Sequence, residues 1–287
     1  MPLIKLVFLG TGGAVPKADR TLPAIYLEDW LGHRILLDAG EGAQYRLLQV
    51  GVSPASLTLV AVTHPHEDHV LGLPGLVLTS KFLGGRLRVL APRSMHEALE
   101  RLGVEMGDSY DGGRLKIRCV KVCHTVDACG WLLEWDAGFK LDLSKVAGLP
   151  KWALTSLIRG EPVEVGGRVV RPEEVADPSH RRFRRLLYTG DTGPCPDMWR
   201  SVEWVDVLIH EATFADDVDP RRAHEEGHST VADAVEAARA VKASVLILTH
   251  VSARYPNKER HRALARAVQP PPHVYVPEDF DTLLVKL

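Results

Sequence analysis

Asparagine occurs once, at Asn257, and glutamine three times in 287 residues. So few heat-labile amides beside abundant Arg and Glu is the bias of a protein built for high temperature, and it is silent about the reaction. Cysteine is scarce as well, limited to Cys119, Cys123, Cys129 and Cys195. Four are too few for a disulfide scaffold. Cys119 and Cys123 sit beside Val120 and Val122, where cysteine serves as a small hydrophobe rather than a metal ligand. No apolar run reaches about 18 residues, so no membrane span is expected. Met1 leads straight into the apolar stretch Leu3–Leu9 with no basic segment or cleavage site, and the expected location is the cytoplasm. A surplus of positive charge is also missing. With a formal net charge of -2, contact with a nucleic acid has to come from a local patch.

What is present is a succession of short apolar strands, glycine-rich turns and a few amphipathic helices. Strands are expected at Lys5–Leu9, Ala24–Leu27, Arg34–Asp38, Thr58–Thr63, Leu87–Leu90, Lys116–Val122, Trp131–Trp135, Arg185–Thr189, Val205–Glu211, Ser244–His250 and Asp281–Val285. Helices are expected at Gly42–Val50, Met95–Leu102, Val231–Val241 and Lys258–Ala267, with Ser229 or Thr230 capping the third. Two runs of strands, one in each half of the chain, imply an α/β fold of two sheets packed face to face with helices outside. Asp38, His64, His210 and His250 all fall at strand ends, where a packed sheet fixes the backbone and the next loop carries chemistry.

Directly after one strand comes Thr63-His64-Pro65-His66-Glu67-Asp68-His69. Alternating His64 and His66 can put two imidazoles on one metal, and Asp68 with His69 can face a second metal beside it. A run of surface histidines is the bland alternative, and it leaves the H-x-H-x-D-H spacing unexplained. Such a cluster supplies only part of two coordination shells. The remainder is expected at later strand ends: His124, Asp191 and His250. The assignment is His64, His66 and His124 on one metal, Asp68, His69 and His250 on the other, and Asp191 between them. Asp68 is also placed to orient or deprotonate a water held by the metals. His228 and Glu211 form a further pair. They either brace their loops or contact a phosphate and protonate a leaving alkoxide. No P-loop Gly-Lys-Ser/Thr and no G-x-S-x-G elbow is present, and Gly10-Thr11-Gly12-Gly13 reads as a turn that lets backbone approach the site.

The cluster at 64–69 resembles the metallo-β-lactamase superfamily, and within it the ribonuclease Z family. Other shared segments are Leu37-Asp38-Ala39-Gly40-Glu41-Gly42, Gly190-Asp191-Thr192, His210-Glu211-Ala212-Thr213-Phe214, Gly227-His228-Ser229-Thr230 and Leu248-Thr249-His250 with Ser252, Arg254 and Tyr255. The resemblance runs over essentially the whole chain. It implies a metallo-β-lactamase αβ/βα sandwich spanning 1–287 as one domain, two zinc ions per subunit (manganese or another divalent metal being possible), and a homodimer. The implied reaction is removal of the 3′ trailer from precursor tRNA by a metal-bound hydroxide, leaving a 3′-hydroxyl tRNA and a 5′-phosphate trailer. Asp68, Glu211 and His228 become catalytic residues on this resemblance.

The resemblance also gives a role to 136–185, which holds ten Lys and Arg against seven acids and ends in Arg181-Arg182-Phe183-Arg184-Arg185. From charge alone it reads as a solvated excursion. In the family this interval is an inserted arm that grips tRNA. Trp152-Ala153 stand where the family arm carries a Gly-Pro pair in a turn, and Glu67 stands where the family has glycine. Two other readings use the same residues. One is a zinc phosphodiesterase acting on small or cyclic nucleotide esters, which would need no arm. The other is an RNA-binding scaffold without catalysis, which loss of a metal-binding residue would mark.

Overall fold

A computed structural model describes residues 2–269 and 272–287, with the side chains of 177–181 (Arg181 of the basic run among them) outside the description. Two seven-stranded sheets dominate. The first runs, edge to edge, Thr282–Lys286, Leu3–Gly10, Ala24–Glu28, Arg34–Leu37, Leu59–Ala61, Arg88–Leu90 and Glu105–Gly107. Its first four strands are antiparallel and its last four parallel. The second runs His273–Tyr275, Val245–Thr249, Val207–Glu211, Ala176–Tyr188, Cys129–Leu141, Leu115–Lys121 and Ser109–Asp111.

Alternation along the strands explains the layers. Val7 and Leu9 join Leu36, Val60 and Val62 in a core capped by Leu47 and Leu76 of the helices Ala43–Gln49 and Leu73–Phe82. Leu187, Leu208, Leu246 and Leu248 pack with Met198, Val231, Ala234 and Ala238 of the helices Pro196–Val202 and Val231–Ala240. The opposite faces of the two sheets meet, with Trp131 Nε1 donating to the Val62 carbonyl and the Tyr188 hydroxyl donating to Asp38. Helices therefore cover two sheets packed on each other, as expected. Thr230 rather than Ser229 caps Val231–Ala240, through a capping box with Asp233.

The chain divides into two compact units, one of Met1–Tyr110, Ile117–Leu133 and Arg185–Leu287, the other of Asp111–Lys116 and Glu134–Arg184. The second unit is built rather than merely solvated. Val146, Ala153, Leu157, Val163, Val170 and Val175 form its own small core from the helix Lys151–Arg159, the hairpin Val163–Val165/Arg168–Val170 and the turn of helix Pro172–Val175. Trp152 and Ala153 occupy a helix, not a turn. Ala153 is buried in that core and Trp152 is exposed.

Cysteine departs from the sequence expectation. All four are joined, as Cys119–Cys129 and Cys123–Cys195. The first pair sits on adjacent strands with Cα atoms 5.1 Å apart, and the second is brought to 5.4 Å by an isolated bridge between Cys123 and Gly193. Both spacings suit a disulfide, and disulfides occur in intracellular proteins of heat-adapted cells. Nothing local in the sequence announces a pairing across 72 residues.

Candidate metal centre

The site lies wholly in the first unit, where strand ends from both sheets meet. Leu59–Ala61 delivers His64, and one turn of helix, Glu67–Val70, carries Asp68 and His69. His124 follows Leu115–Lys121, Asp191 follows Ala176–Tyr188, Glu211 ends Val207–Glu211 and His250 follows Val245–Thr249. Asp38 and His250 both adopt positive φ, 57° and 58°, a strained conformation that a packed functional site sustains.

Four of the five clustered imidazoles have their outward nitrogen held as a donor. His69 Nδ1 donates to Asp38 Oδ2 at 2.7 Å, and His124 Nδ1 donates to the Gly227 carbonyl at 2.8 Å. His64 Nδ1 reaches Thr63 Oγ1 at 3.0 Å, and Thr63 passes its own proton to Asp38. His250 Nδ1 reaches Thr213 Oγ1 at 2.9 Å, and Thr213 donates to Glu211. Each outer bond selects the tautomer whose lone pair points inward. Inside, His64 Nε2 and His66 Nδ1 are 3.0 Å apart, His66 Nδ1 and His124 Nε2 3.1 Å, and His69 Nε2 and His250 Nε2 3.3 Å. Ring nitrogens converging at such distances are a donor set that a cation would satisfy.

The carboxylates agree. Asp191 Oδ1 lies 3.3 Å from His69 Nε2 and 3.2 Å from His250 Nε2 yet is buried without a well-formed hydrogen bond, while Oδ2 faces His64 at 3.7 Å. Asp68 Oδ2 accepts from the Ala14 N–H at 2.7 Å and lies 3.3 Å from His250 Nε2. Three overlapping groups of donors capable of holding a metal result: His64, His66, His124 and Asp191; next to them Asp68, His69 and His250; and Asp191, His228 and His250. Burial, with the neighbouring His69, lowers the His64 pKa to about 2, so this ring is the neutral ligand a metal requires. Burial works to raise the pKa of Asp191, but His250 and His69 outweigh it and hold the carboxyl well below the ordinary range. The residues fit a divalent metal.

Every metal-binding residue expected from the sequence is thus in one place. The Gly10–Gly13 turn does come up against the site: a Cβ on Gly13 would lie 2.3 Å from the His250 ring. His210 is separate, buried with Nδ1 on the Glu211 carbonyl. Glu211 is itself buried and fully engaged, accepting from the Thr192, Thr213 and Ser229 N–H groups, the Thr213 hydroxyl and His228 Nδ1 at 2.9 Å. Burial would lower the His228 pKa, but the Glu211 carboxylate outweighs it and raises the pKa to about 9. Glu211 thus favours the protonated form of His228, which lies beside His124 and His250. Sequence reasoning passed over Thr63, Thr213 and Tyr188, which hold the histidines and Asp38, because their partners come from distant strands.

With this geometry in view, comparison with known proteins is decisive. A family model described as beta-lactamase superfamily domain matches residues 33–251. Ribonuclease Z of Pyrobaculum islandicum is 79% identical over 287 residues, covering 100% of both chains. Ribonuclease Z of Saccharolobus solfataricus is 33% identical, covering 99% of this chain and 100% of that relative. The chain belongs to the ribonuclease Z family. Among solved structures, human tRNase Z, short form, matches with a TM-score of 0.67 at 22% identity over 99% of this chain and 100% of that one. The metallo-beta-lactamase fold protein YhfI from Bacillus subtilis matches at 0.71 and 17%, covering 99% and 100%. At such identities these two bear on the fold alone. The fold and the clustered donors together point to divalent-metal binding.

Proposed function

We propose that this chain is an endoribonuclease that removes the 3′ trailer from precursor tRNA, working in the cytoplasm with two zinc or manganese ions per subunit. The observation that carries the reading is a seven-donor His and Asp cluster with one protonated histidine, His228, fixed beside it by a buried carboxylate. Membership in the ribonuclease Z family supplies the substrate class.

In this reading His64, His66 and His124 would hold one cation and Asp68, His69 and His250 the other, with Asp191 available to both. Bound there, the cations would generate a nucleophile from water at neutral pH and offset the phosphate charge. Asp68, anchored by Ala14, orients the attacking water. Burial works to raise its pKa, but the adjoining His250 and His69 outweigh it and lower it, so Asp68 accepts a hydrogen bond better than it keeps a proton. His228 gives its Nε2 proton to the departing 3′ oxygen as the P–O3′ bond breaks, which yields a 3′-hydroxyl tRNA and a 5′-phosphate trailer. Glu211 touches His228 and not the open face of the cluster, so it acts by positioning and charging that ring.

The 136–185 arm is the tRNA grip in this reading, supported by its basic surplus and the exposed Arg182. A homodimer is supported by Tyr45, Leu48, Leu78 and Phe82, left exposed on the neighbouring helices Ala43–Gln49 and Leu73–Phe82. Sedimentation of a monomer at micromolar concentration would remove it from the proposal.

The test is incubation with a trailer-bearing precursor tRNA and zinc or manganese, followed by mapping of both product ends. A single cut with the ends named above is expected. Hydrolysis of bis(p-nitrophenyl) phosphate without any cut in the tRNA would overturn the reading in favour of small nucleotide esters. The arm has its own test. The Asp142 N–H donates to the Val175 carbonyl, so a short Gly-Ser link can replace the segment between them. That variant loses Lys145, Lys151, Arg159, Arg168 and Arg171 but keeps Arg182, and should raise KM for precursor tRNA about ten- to a hundredfold, as loss of a few phosphate contacts does, with small-ester turnover unchanged. Equal loss of both activities would contradict the division of labour.

A further inference from the structure

His124 is the one imidazole of the cluster on a loop whose two ends and middle are all tied by sulfur. Cys119 and Cys129 close the base of that loop, and the Cys129 N–H donates to the carbonyl of Thr63, the residue before His64, at 2.8 Å. Cys123, immediately before His124, is bonded to Cys195, four residues beyond Asp191. Around this second cystine the two loops are otherwise joined by an isolated backbone bridge and contacts with Thr192. The Gly193 N–H donates to the Cys123 carbonyl at 2.8 Å, and the Cys123 N–H donates to Thr192 Oγ1 at 3.1 Å. His124 and Asp191 come from different strands and lie far apart in the chain, yet both belong to the group His64, His66, His124 and Asp191.

We infer that the Cys123–Cys195 disulfide is a positioning device for the metal centre, clamping the His124 loop to the Asp191 loop so that this donor group keeps its metal only while the bond is intact. Cys195 is buried and Cys123 is solvent-exposed, which leaves the pair open to a reductant from one side. A dithiol supplies two electrons and two protons. The S–S bond breaks to two thiols while the dithiol closes to its own cyclic disulfide. Freed of the link, the two loops retain those hydrogen bonds and the bond from His124 Nδ1 to the Gly227 carbonyl, and the backbone before His124 gains freedom relative to the Asp191 loop. A ligand no longer held in place costs metal affinity, of the order of ten- to a hundredfold for loss of supporting contacts around a ligand. Cys119–Cys129 is the internal comparison. It joins neighbouring strands of one sheet, which backbone pairing already holds, so its loss leaves the His124-to-Asp191 relation in place.

The inference rests on the metal-binding reading, and the experiment separates the two. Metal content and retention against a competing chelator are measured at 25 °C on the oxidised full chain, on Cys123→Ser/Cys195→Ser and on Cys119→Ser/Cys129→Ser. Near-UV circular dichroism establishes that each is folded. An oxidised wild type that binds no zinc overturns the metal reading itself. With zinc bound, the expected result is a loss of affinity of about ten- to a hundredfold at one of two sites in Cys123→Ser/Cys195→Ser and a much smaller change in the other pair. Equal retention in both variants, with only a lowered Tm, overturns the clamp and leaves the cystines as thermal staples. Free thiols in the purified oxidised protein overturn it as well. If the double variant does not fold, Cys119→Ser/Cys129→Ser reduced with the non-thiol tris(2-carboxyethyl)phosphine and alkylated with iodoacetamide replaces it. Metal released on reduction supports the clamp, and metal retained in the folded alkylated protein overturns it.

Discussion

Asp68→Ala will lower single-turnover cleavage of precursor tRNA by at least about 10³-fold, or roughly 4 kcal/mol in the barrier, while tRNA affinity changes little. The separation follows from where Asp68 sits. Its carboxylate touches the Ala14 N–H, His250 and His69, so it belongs to the reacting centre. Alanine removes one of four donors for one cation and the acceptor that orients the attacking water. Asp68→Asn sharpens the test. It keeps a side-chain oxygen for the Ala14 N–H but takes the negative charge from the cluster. Both variants should bind precursor tRNA within about threefold of wild type by anisotropy, since affinity for RNA comes mostly from phosphate contacts elsewhere. Unchanged turnover in Asp68→Ala would sink the role assigned to this carboxylate. A parallel collapse of affinity would place tRNA contact in the metal centre.

Part of this site was legible because its chemistry is local in sequence. His64, His66, Asp68 and His69 fall within six residues after one short strand, and no packing argument is needed to see four donors together. His124, Asp191 and His250 were legible by a weaker rule, that polar residues closing apolar strands gather at one rim of a sheet. What supports them was not legible. Asp38 was visible as a strand end, but its service to His69 and Thr63 depends on the parallel register that sets Leu37 beside Ala61. Tyr188 reaches Asp38 from the other sheet. The helix Leu73–Phe82 escaped because Pro74 and Gly75 stand at its start and its apolar residues lie on more than one side, Leu73 and Leu76 buried but Leu78 and Phe82 exposed. The strands Cys129–Leu141 and Ala176–Tyr188 run well beyond the apolar cores Trp131–Trp135 and Arg185–Thr189 that announced them. Their extensions are charged and lie in the second unit, where hydrophobic alternation is no guide.

His228→Ala will cost about 10²- to 10⁴-fold in cleavage of precursor tRNA, the ordinary contribution of a general acid, and far less in hydrolysis of bis(p-nitrophenyl) phosphate. The contrast comes from the leaving groups. A ribose 3′ oxygen is strongly basic and must be protonated as it departs, whereas p-nitrophenolate leaves without a proton. The proton is available because Glu211 holds the His228 pKa at about 9 against the effect of burial. The active form is the protonated ring, so the rate should fall as pH rises through that pKa, while ionisation of the attacking water sets the acidic side of the profile. Cations bound at the neighbouring donors repel the imidazolium and move the alkaline limb below 9. That limb should vanish in His228→Ala, and the remaining slow rate should be insensitive to pH in the same range. Glu211→Gln provides the complementary case. The amide still reaches the ring but carries no charge, so the limb should shift to lower pH while the ring stays in place. Equal loss of both substrates in His228→Ala would assign the ring to holding phosphate or metal instead of to proton transfer. An unmoved limb in Glu211→Gln would show that the carboxylate braces its loop and does not set the acidity of His228.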